Sequence, residues 1–268
     1  RLFVRHWDEW SDGRREHLFV MPLEGGEPVD LMKDMDADCP GRPFGGIEEV
    51  ALSPDGKSVV FSARDAGRAE AWSTNFDLFE VPLDGSRAPR SLTAANPAWD
   101  TQPVFSPDGA TLAYLAMSIP GFEADRLRIV LQPWPEGPKR VLTESWDRSP
   151  SSLAFSPDGR TLYAVAENLG QNSLFAVDVA SGKVRTVVEQ GTVRAAVPGE
   201  RRIVIAHETL TSPTELYSVR VDGGERLVLT SLNAARVAEA RMGEPEQFSF
   251  AGAGGDRVHA YVVKPVDF

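Results

Sequence analysis

Ser156-Pro157-Asp158-Gly159 stands between two apolar runs, residues 153–155 before it and residues 162–165 after it. The same tetrapeptide begins at Ser53 and at Ser106, so the three copies start 53 and 50 residues apart. Pro presets φ at the second position of a tight turn, and Gly accepts a positive φ at the last position. Each copy therefore predicts a hairpin turn between two β-strands. Three copies at near-constant spacing indicate an internal repeat of the size of a β-propeller blade.

The repeat unit extends from this turn to four strands. In the third copy, two further apolar stretches (173–179 and 184–188) follow the hairpin and flank a turn at residues 180–183. Reading the other copies in the same way predicts an all-β fold, a β-propeller of four-stranded antiparallel blades. A degenerate turn at residues 197–200 marks one more blade.

The chain is thus expected to contain four full blades and a partial one within residues 1–230. Residues 231–268 are expected to form a connecting segment and a last hairpin. Three blades end in the dipeptide Leu-Thr, at residues 92–93, 142–143 and 229–230. The predicted blades are 1–32 (partial, without its first strand), 47–93, 99–143, 150–188 and 193–230.

Composition narrows the classes of partner. With 28 basic and 39 acidic residues among 268, the chain carries a formal net charge of −11. Such a charge argues against a nucleic acid or an anionic membrane as partner. No run reaches 18 apolar residues, so no membrane-spanning helix is expected.

The sequence predicts no metal site and no cofactor. Cys39 is the sole cysteine, which excludes an intrachain disulfide and a cysteine-based zinc cluster. The four histidines lack the spacing of metal ligands. Residues 36–39 (Asp-Ala-Asp-Cys) could form a cation loop but are expected to be an exposed acidic loop. No Gly-x-Ser-x-Gly motif occurs, so no catalytic residue is predicted in this chain.

Glu48 and Glu49 are the candidate ligand-binding residues. They follow Gly45-Gly46 and stand where the second blade is expected to begin. Two neighbouring carboxylates can share the three N–H donors of a primary ammonium. The alternative is a solvated pair at the edge of a blade.

The segment from His6 to Gly13 concentrates aromatic and acidic side chains. It contains Trp7, Asp8, Glu9 and Trp10 in a predicted hairpin connection. The tryptophans are expected either to pack at a blade edge or to form a rim that faces a ligand or another domain.

These features together resemble the propeller of prolyl oligopeptidase-family serine peptidases. The likeness rests on the Ser-Pro-Asp-Gly turns, the segment at residues 6–10, Gly45-Gly46-Ile47-Glu48-Glu49, and the terminal hairpin that ends in Lys264-Pro265. Within the family it is greatest for dipeptidyl peptidase V and the acylaminoacyl-peptidase-like enzymes. The turns alone are shared with the propeller of the Tol system.

The resemblance implies a role and a partner. In the family a Ser-Asp-His triad lies on an α/β-hydrolase domain, which would follow Phe268, and the propeller admits short peptides while excluding folded proteins. Dipeptidyl members hold the free N-terminus of the substrate with acidic side chains, a role that Glu48 and Glu49 would fill here. The chain alone is then expected to be inactive.

Three readings of function stay open on the sequence. The first is the substrate-selecting propeller of a serine exopeptidase. The second is a Tol-like protein-interaction propeller without chemistry, and the third is a glycan-binding or lyase-type propeller. Within the first reading, a protein similar to dipeptidyl peptidase V would be periplasmic or secreted, and one similar to the acylaminoacyl peptidases would be cytoplasmic. Oligomerisation is left open.

Overall fold

The computed structural model describes residues 5–6, 9–10 and 12–267, which fall into two compact units, Arg1–Asp147 and Arg148–Phe268. The only α-helix among these residues is α1 (Ala234–Glu239), and short 3-10 turns occupy Ile47–Glu49, Gly67–Ala71 and Ala253–Gly255. The strands are β1 (Arg5–His6), β2 (Glu9–Trp10), β3 (Phe19–Val20), β4 (Val29–Asp30), β5 (Val50–Leu52), β6 (Ser58–Ala63), β7 (Asp77–Pro82), β8 (Arg90–Ser91), β9 (Asp100–Phe105), β10 (Thr111–Ala116), β11 (Arg128–Pro133), β12 (Arg140–Val141), β13 (Pro150–Phe155), β14 (Thr161–Asn168), β15 (Gln171–Asp178), β16 (Val184–Val188), β17 (Thr192–Pro198), β18 (Arg202–Thr209), β19 (Ser212–Arg220), β20 (Leu227–Val228), β21 (Pro245–Ala251) and β22 (Arg257–Val263).

The first unit contains two four-stranded antiparallel sheets, in the orders β5-β6-β7-β8 and β9-β10-β11-β12. Two short antiparallel pairs, β1–β2 and β3–β4, precede them. These pairs lie within residues 1–32, where a partial blade stays a prediction.

The second unit contains an eight-stranded sheet and a separate hairpin. Two antiparallel meanders, β13 to β16 and β17 to β20, are joined by one parallel pairing between Asn172 of β15 and Thr192 of β17. The hairpin β21–β22 pairs over seven residues, from Pro245↔Val263 to Ala251↔Arg257. The predicted terminal hairpin is confirmed.

The Ser-Pro-Asp-Gly tetrapeptides are hairpin turns, as predicted. In the second copy the Gly109 N–H donates to the Ser106 carbonyl at 2.8 Å, and Gly109 has φ +69°. The Ser106 hydroxyl donates to Asp108 and accepts the N–H of Thr111 at 2.9 Å, where β10 begins. Ser53 and Ser156 make the same contacts in their turns.

The sheet β5-β6-β7-β8 buries both of its faces, and strand periodicity explains how. On β6, Val59 and Phe61 pack in one core cluster with Leu31 and Met32, while Val60 packs in another with Leu112 of the next sheet. Alternate residues of a strand point to opposite faces, so one strand serves two cores. The second unit has its own core, in which residues of the two meanders meet.

Helix α1 lies in the segment where the sequence predicted no regular element. Glu215 of β19, which is 6% exposed, accepts hydrogen bonds from the backbone and the side chain of Asn233 at the start of α1. This contact fixes the segment to the sheet. No helix of the described residues is long and apolar enough to cross a membrane.

Candidate functional site

The Glu48–Glu49 pair lies at the end of a glycine-rich loop that leads into β5. Gly45 donates its N–H to the carbonyl of Gly41 at 2.6 Å, which closes residues 41–45 into a tight turn. A Cβ atom at position 45 would lie 2.3 Å from the Gly41 nitrogen, nearer than non-bonded atoms approach. Only glycine fits at this close backbone approach.

Glu49 is buried inside this loop, with 5% of its surface exposed. Its Oε2 accepts the N–H of Gly41 at 2.5 Å. Burial raises the pKa of the Glu49 carboxyl; the Gly41 donor opposes that rise and the neighbouring Glu48 charge adds to it. The carboxylate of Glu49 is therefore engaged within the protein.

Glu48 is exposed, in contrast to its neighbour. Its carboxylate lies beside the Cα of Gly46, where a Cβ atom would be 2.4 Å from Oε2. Ile47, the preceding residue, is 83% exposed. The predicted arrangement of two carboxylates at one mouth is corrected here: Glu48 faces solvent, whereas Glu49 faces the loop backbone.

The aromatic segment at the chain start is described only in part. Trp7 and Asp8 lie outside the described residues. Glu9 and Trp10 form β2, which pairs with β1 through His6↔Glu9 and Arg5↔Trp10. The hairpin is confirmed at the level of the backbone, and the role of these side chains as a rim stays a prediction.

An arginine that the sequence did not single out organises the acidic segment at residues 36–39. Arg15 donates to Asp36 and Asp38, at 2.8 Å each, and to both carboxylate oxygens of Glu70, at 2.7 Å. The hydrogen bonds that Arg15 donates to Glu70 outweigh the effect of burial and raise the pKa of the Arg15 guanidinium. Asp36 is exposed as expected. The expectation of an exposed acidic loop is wrong for the following residues, since Asp38 is 9% exposed and Cys39 is 1% exposed.

A buried carboxyl group lies at the first residue of β9. Asp100 is 1% exposed, and its Oδ1 accepts a hydrogen bond from Asn96 at 3.0 Å. Its Oδ2 has no hydrogen-bond partner in the described part of the chain. Burial raises the pKa of this carboxyl to about 7, against the opposing effect of Asn96, Thr93 and Lys139. The sequence showed this residue only as half of a Trp-Asp pair.

The loop between β10 and β11 is held by another carboxylate. Asp125 accepts the backbone N–H groups of Ser118 at 2.7 Å and Ile119 at 3.0 Å. Burial would raise the pKa of Asp125, but its backbone donors and the Arg128 charge outweigh burial and lower it to about 2. The loop so held presents Ile119 and Phe122, 48% and 50% exposed.

This loop contacts the loop between β6 and β7. The Gly121 N–H donates to the Thr74 hydroxyl at 3.0 Å. That second loop presents Trp72, which is 68% exposed. It also contacts the glycine-rich loop, since a Cβ at Gly41 would lie 2.6 Å from Phe76. Three neighbouring loops of the first unit thus carry Glu48 and several exposed apolar side chains.

Within the described residues, no group of three or more His, Cys, Asp or Glu side chains is arranged to hold a metal ion. Burial raises the pKa of the Cys39 thiol to about 12, so that this cysteine stays protonated and unreactive at neutral pH.

Known proteins resemble the chain along its whole sequence. It is 30% identical over 283 aligned residues to dipeptidyl-peptidase 5 of Schizosaccharomyces pombe and 26% identical over 272 to dipeptidyl-peptidase 5 of Porphyromonas gingivalis. Both alignments cover all of this chain and 40% of the relative. The chain therefore spans about two fifths of the length of these curated relatives. No family model matches it.

Solved structures share the fold at lower identity. An acylaminoacyl peptidase of Pyrococcus horikoshii aligns with a TM-score of 0.61 and 19% identity, over 81% of this chain and 32% of that one. A putative TolB of Agrobacterium tumefaciens aligns with a TM-score of 0.58 and 19% identity, over 82% and 74%. At this identity the likeness establishes a propeller-like all-β fold, and the number of blades stays a prediction.

Proposed function

We infer the function of this chain from its family, since its sequence relates it over its full length to a propeller portion of the prolyl oligopeptidase-family serine peptidases. We propose that it selects short peptides for a serine exopeptidase of dipeptidyl or acylaminoacyl type. The observation that carries this proposal is the 30% identity to dipeptidyl-peptidase 5 across the whole chain.

The chemical step is assigned to an α/β-hydrolase domain of the same parent protein. There an activated serine would attack the peptide carbonyl, and an oxyanion hole would stabilise the charge that develops. The propeller would gate access to that site. The 268 residues of this chain contribute no catalytic residue to the proposal.

The hairpin β21–β22 has one face held by the protein and one exposed apolar face, which favours a neighbouring domain in the parent protein. On one face, Gln247 and Tyr261 donate to the carbonyl of Leu169 at 3.0 and 3.2 Å. On the other face Phe248 and Phe250 stack at 6.1 Å and are 48% and 51% exposed. An isolated two-stranded hairpin is marginally stable in water. We propose that the exposed apolar face is covered by the hydrolase domain.

Glu48 is the group we assign to the peptide's N-terminus. An exposed carboxylate can accept hydrogen bonds from a primary ammonium, whereas an N-acylated peptide offers no such charge. Preference for a free N-terminus would place the chain with the dipeptidyl type, and indifference to acylation with the acylaminoacyl type.

The test is peptide binding to the purified chain by isothermal titration calorimetry. The tripeptide Ala-Ala-Phe and its N-acetylated form serve as probes. Glu48→Gln should raise the Kd of the free tripeptide about two- to fivefold, the range of an exposed ion pair, and leave the acetylated form unchanged. Glu24→Gln, at another exposed acid, is the matched control. Equal binding of both probes to the parent chain would remove Glu48 from this role.

The likeness to TolB favours a second candidate, a protein-interaction propeller without chemistry, because it covers 74% of that chain. The reading frame after residue 268 separates the two candidates. A Gly-x-Ser-x-Gly motif in a following domain supports the peptidase, and a stop codon supports the interaction module.

A further inference from the structure

The two adjacent glutamates differ in what surrounds their carboxylates, and the difference assigns them separate tasks. The Glu49 carboxylate is enclosed by the turn at residues 41–45, whereas the Glu48 carboxylate lies outside it. Two residues that are adjacent in the sequence thus place one carboxylate in solvent and the other in the interior of the loop.

The loop is wrapped closely around the Glu49 carboxylate. A Cβ atom at Gly45 would lie 2.6 Å from Oε2 of Glu49, and a Cβ at Gly41 would lie 3.2 Å from the same oxygen. On its other side, Gly41 is limited by the Phe76 ring. The absence of side chains at both glycines leaves the space that the carboxylate fills.

Three hydrogen bonds link the loop through Gly41 and Glu49. Gly41 donates its N–H to Glu49 at 2.5 Å and accepts the N–H of Gly45 at 2.6 Å. The Glu49 N–H in turn donates to the carbonyl of Gly46 at 3.1 Å, which forms the 3-10 turn that includes Glu48. The Glu49 side chain and backbone therefore connect the two halves of the loop.

We propose that Glu49 is a positioning residue that ties down residues 41–46 and so presents Glu48 as the one carboxylate of the pair that a ligand can reach. We call the hydrogen bond between the Gly41 N–H and the Glu49 carboxylate the clamp. The identity of the ligand as a peptide ammonium rests on the proposed function, whereas the clamp does not. The neutral side chain of Glu49→Gln has the same length and should keep the clamp, because the bond from Gly41 needs an oxygen acceptor and not a charge.

Amide hydrogen exchange by NMR on the purified chain tests the clamp without a ligand. Glu49→Ala should speed exchange of the Gly41 and Gly45 amides about tenfold or more, since the side-chain acceptor is lost. Glu49→Gln should keep both amides within about threefold of the parent, and Glu48→Gln should leave them unchanged. Unaltered Gly41 exchange in Glu49→Ala would overturn the proposal.

Glu49→Asp offers a second route in case Glu49→Ala does not fold. Its side chain is one methylene shorter, so the carboxylate should no longer reach the Gly41 N–H, and the Gly41 amide should exchange faster although the charge is kept. If Glu49→Asp folds and leaves Gly41 protected, the reach of the carboxylate does not hold the loop.

Binding of Ala-Ala-Phe separates this proposal from the proposed function. Glu49→Gln should bind the tripeptide like the parent. If Glu49→Gln weakens binding as much as Glu48→Gln while Gly41 stays protected, Glu49 contacts the ligand and the single-carboxylate arrangement is wrong. If Glu48→Gln has no effect but Glu49→Ala releases Gly41, the clamp stands and the peptide assignment fails.

Discussion

The buried carboxyl groups of the first unit differ in how many hydrogen-bond donors they have. Glu49 receives a backbone N–H, and Asp125 receives several, so that each finds donors for its charge. Asp100 has one side-chain donor, Asn96, and an oxygen without a hydrogen-bond partner in the described residues. An ionised carboxylate is costly to bury in such a site, so the neutral form is favoured there.

Asp100 should make the stability of the protein fall as the pH rises. Its pKa is raised from 3.8 to about 7 in the folded chain. Between about pH 4 and pH 7 the unfolded chain has released this proton and the folded chain has not, so the unfolded state gains relative to the folded one. At 1.36 kcal/mol per pH unit, the loss across the window is about 4 kcal/mol.

Urea unfolding at pH 5 and pH 8 checks this. The groups whose charges act on Asp100 are Asp77 of β7 and Lys139 before β12. Burial, and after it the Asp100 charge, raises the pKa of Tyr114 of β10. Asp100→Asn should gain stability relative to the parent on going from pH 5 to pH 8. The same difference between variant and parent at both pH values would contradict the assignment.

At the scale of the strand, the Leu-Thr endings of the blades have a structural reason. In each case the threonine hydroxyl accepts a backbone N–H from the third strand, to which the fourth strand is paired. The side chain continues the ladder where the backbone of the last strand has ended. The pairs are Thr93 with Leu78 at 2.9 Å, Thr143 with Ile129 at 2.9 Å and Thr230 with Leu216 at 2.8 Å.

Thr93→Val and Thr143→Val should each lower the free energy of unfolding by about 1–3 kcal/mol, because a buried N–H loses its acceptor. Both threonines are 1% exposed. Thr93→Ser and Thr143→Ser keep the hydroxyl and are the controls. Losses in the valine variants no greater than those in the serine variants, by urea unfolding, would contradict this account.

At the scale of the whole molecule, the chain consists of two compact units with separate cores and carries a net charge of −11. The alignments with its dipeptidyl-peptidase 5 relatives cover all of this chain and 40% of the length of each relative. The exposed apolar face of β21–β22 and the three loops around Glu48 are the surfaces on which the proposed parent enzyme would depend.

The purified chain should hydrolyse neither Ala-Ala-p-nitroanilide nor N-acetyl-Ala-p-nitroanilide. The prediction follows because no nucleophile elbow occurs in its sequence. Release of p-nitroaniline is followed by absorbance, with a serine-directed inhibitor as control. Turnover that co-purifies with the chain and is blocked by the inhibitor would contradict the division of labour proposed above.

The sequence by itself determined the strand order within each repeat, the hairpin turns and the terminal hairpin. These features follow from local rules. A Ser-Pro-Asp-Gly turn is determined within about four residues, and a strand is recognised by apolar residues that recur with a period of two. The same local rules missed α1, which depends on Glu215, a partner 18 positions away from Asn233.

Only the tertiary structure determined which acidic side chains are exposed and which are buried. Arg15 reaches Glu70 across 55 positions and Asp38 across 23, and these contacts bury a segment whose composition predicted exposure. Glu48 and Glu49 are alike in the sequence, and only the fold of the glycine loop turns one outward and the other inward. Burial and charge compensation depend on residues that are distant along the chain, and for that reason local patterns located the candidate site without assigning its two carboxylates.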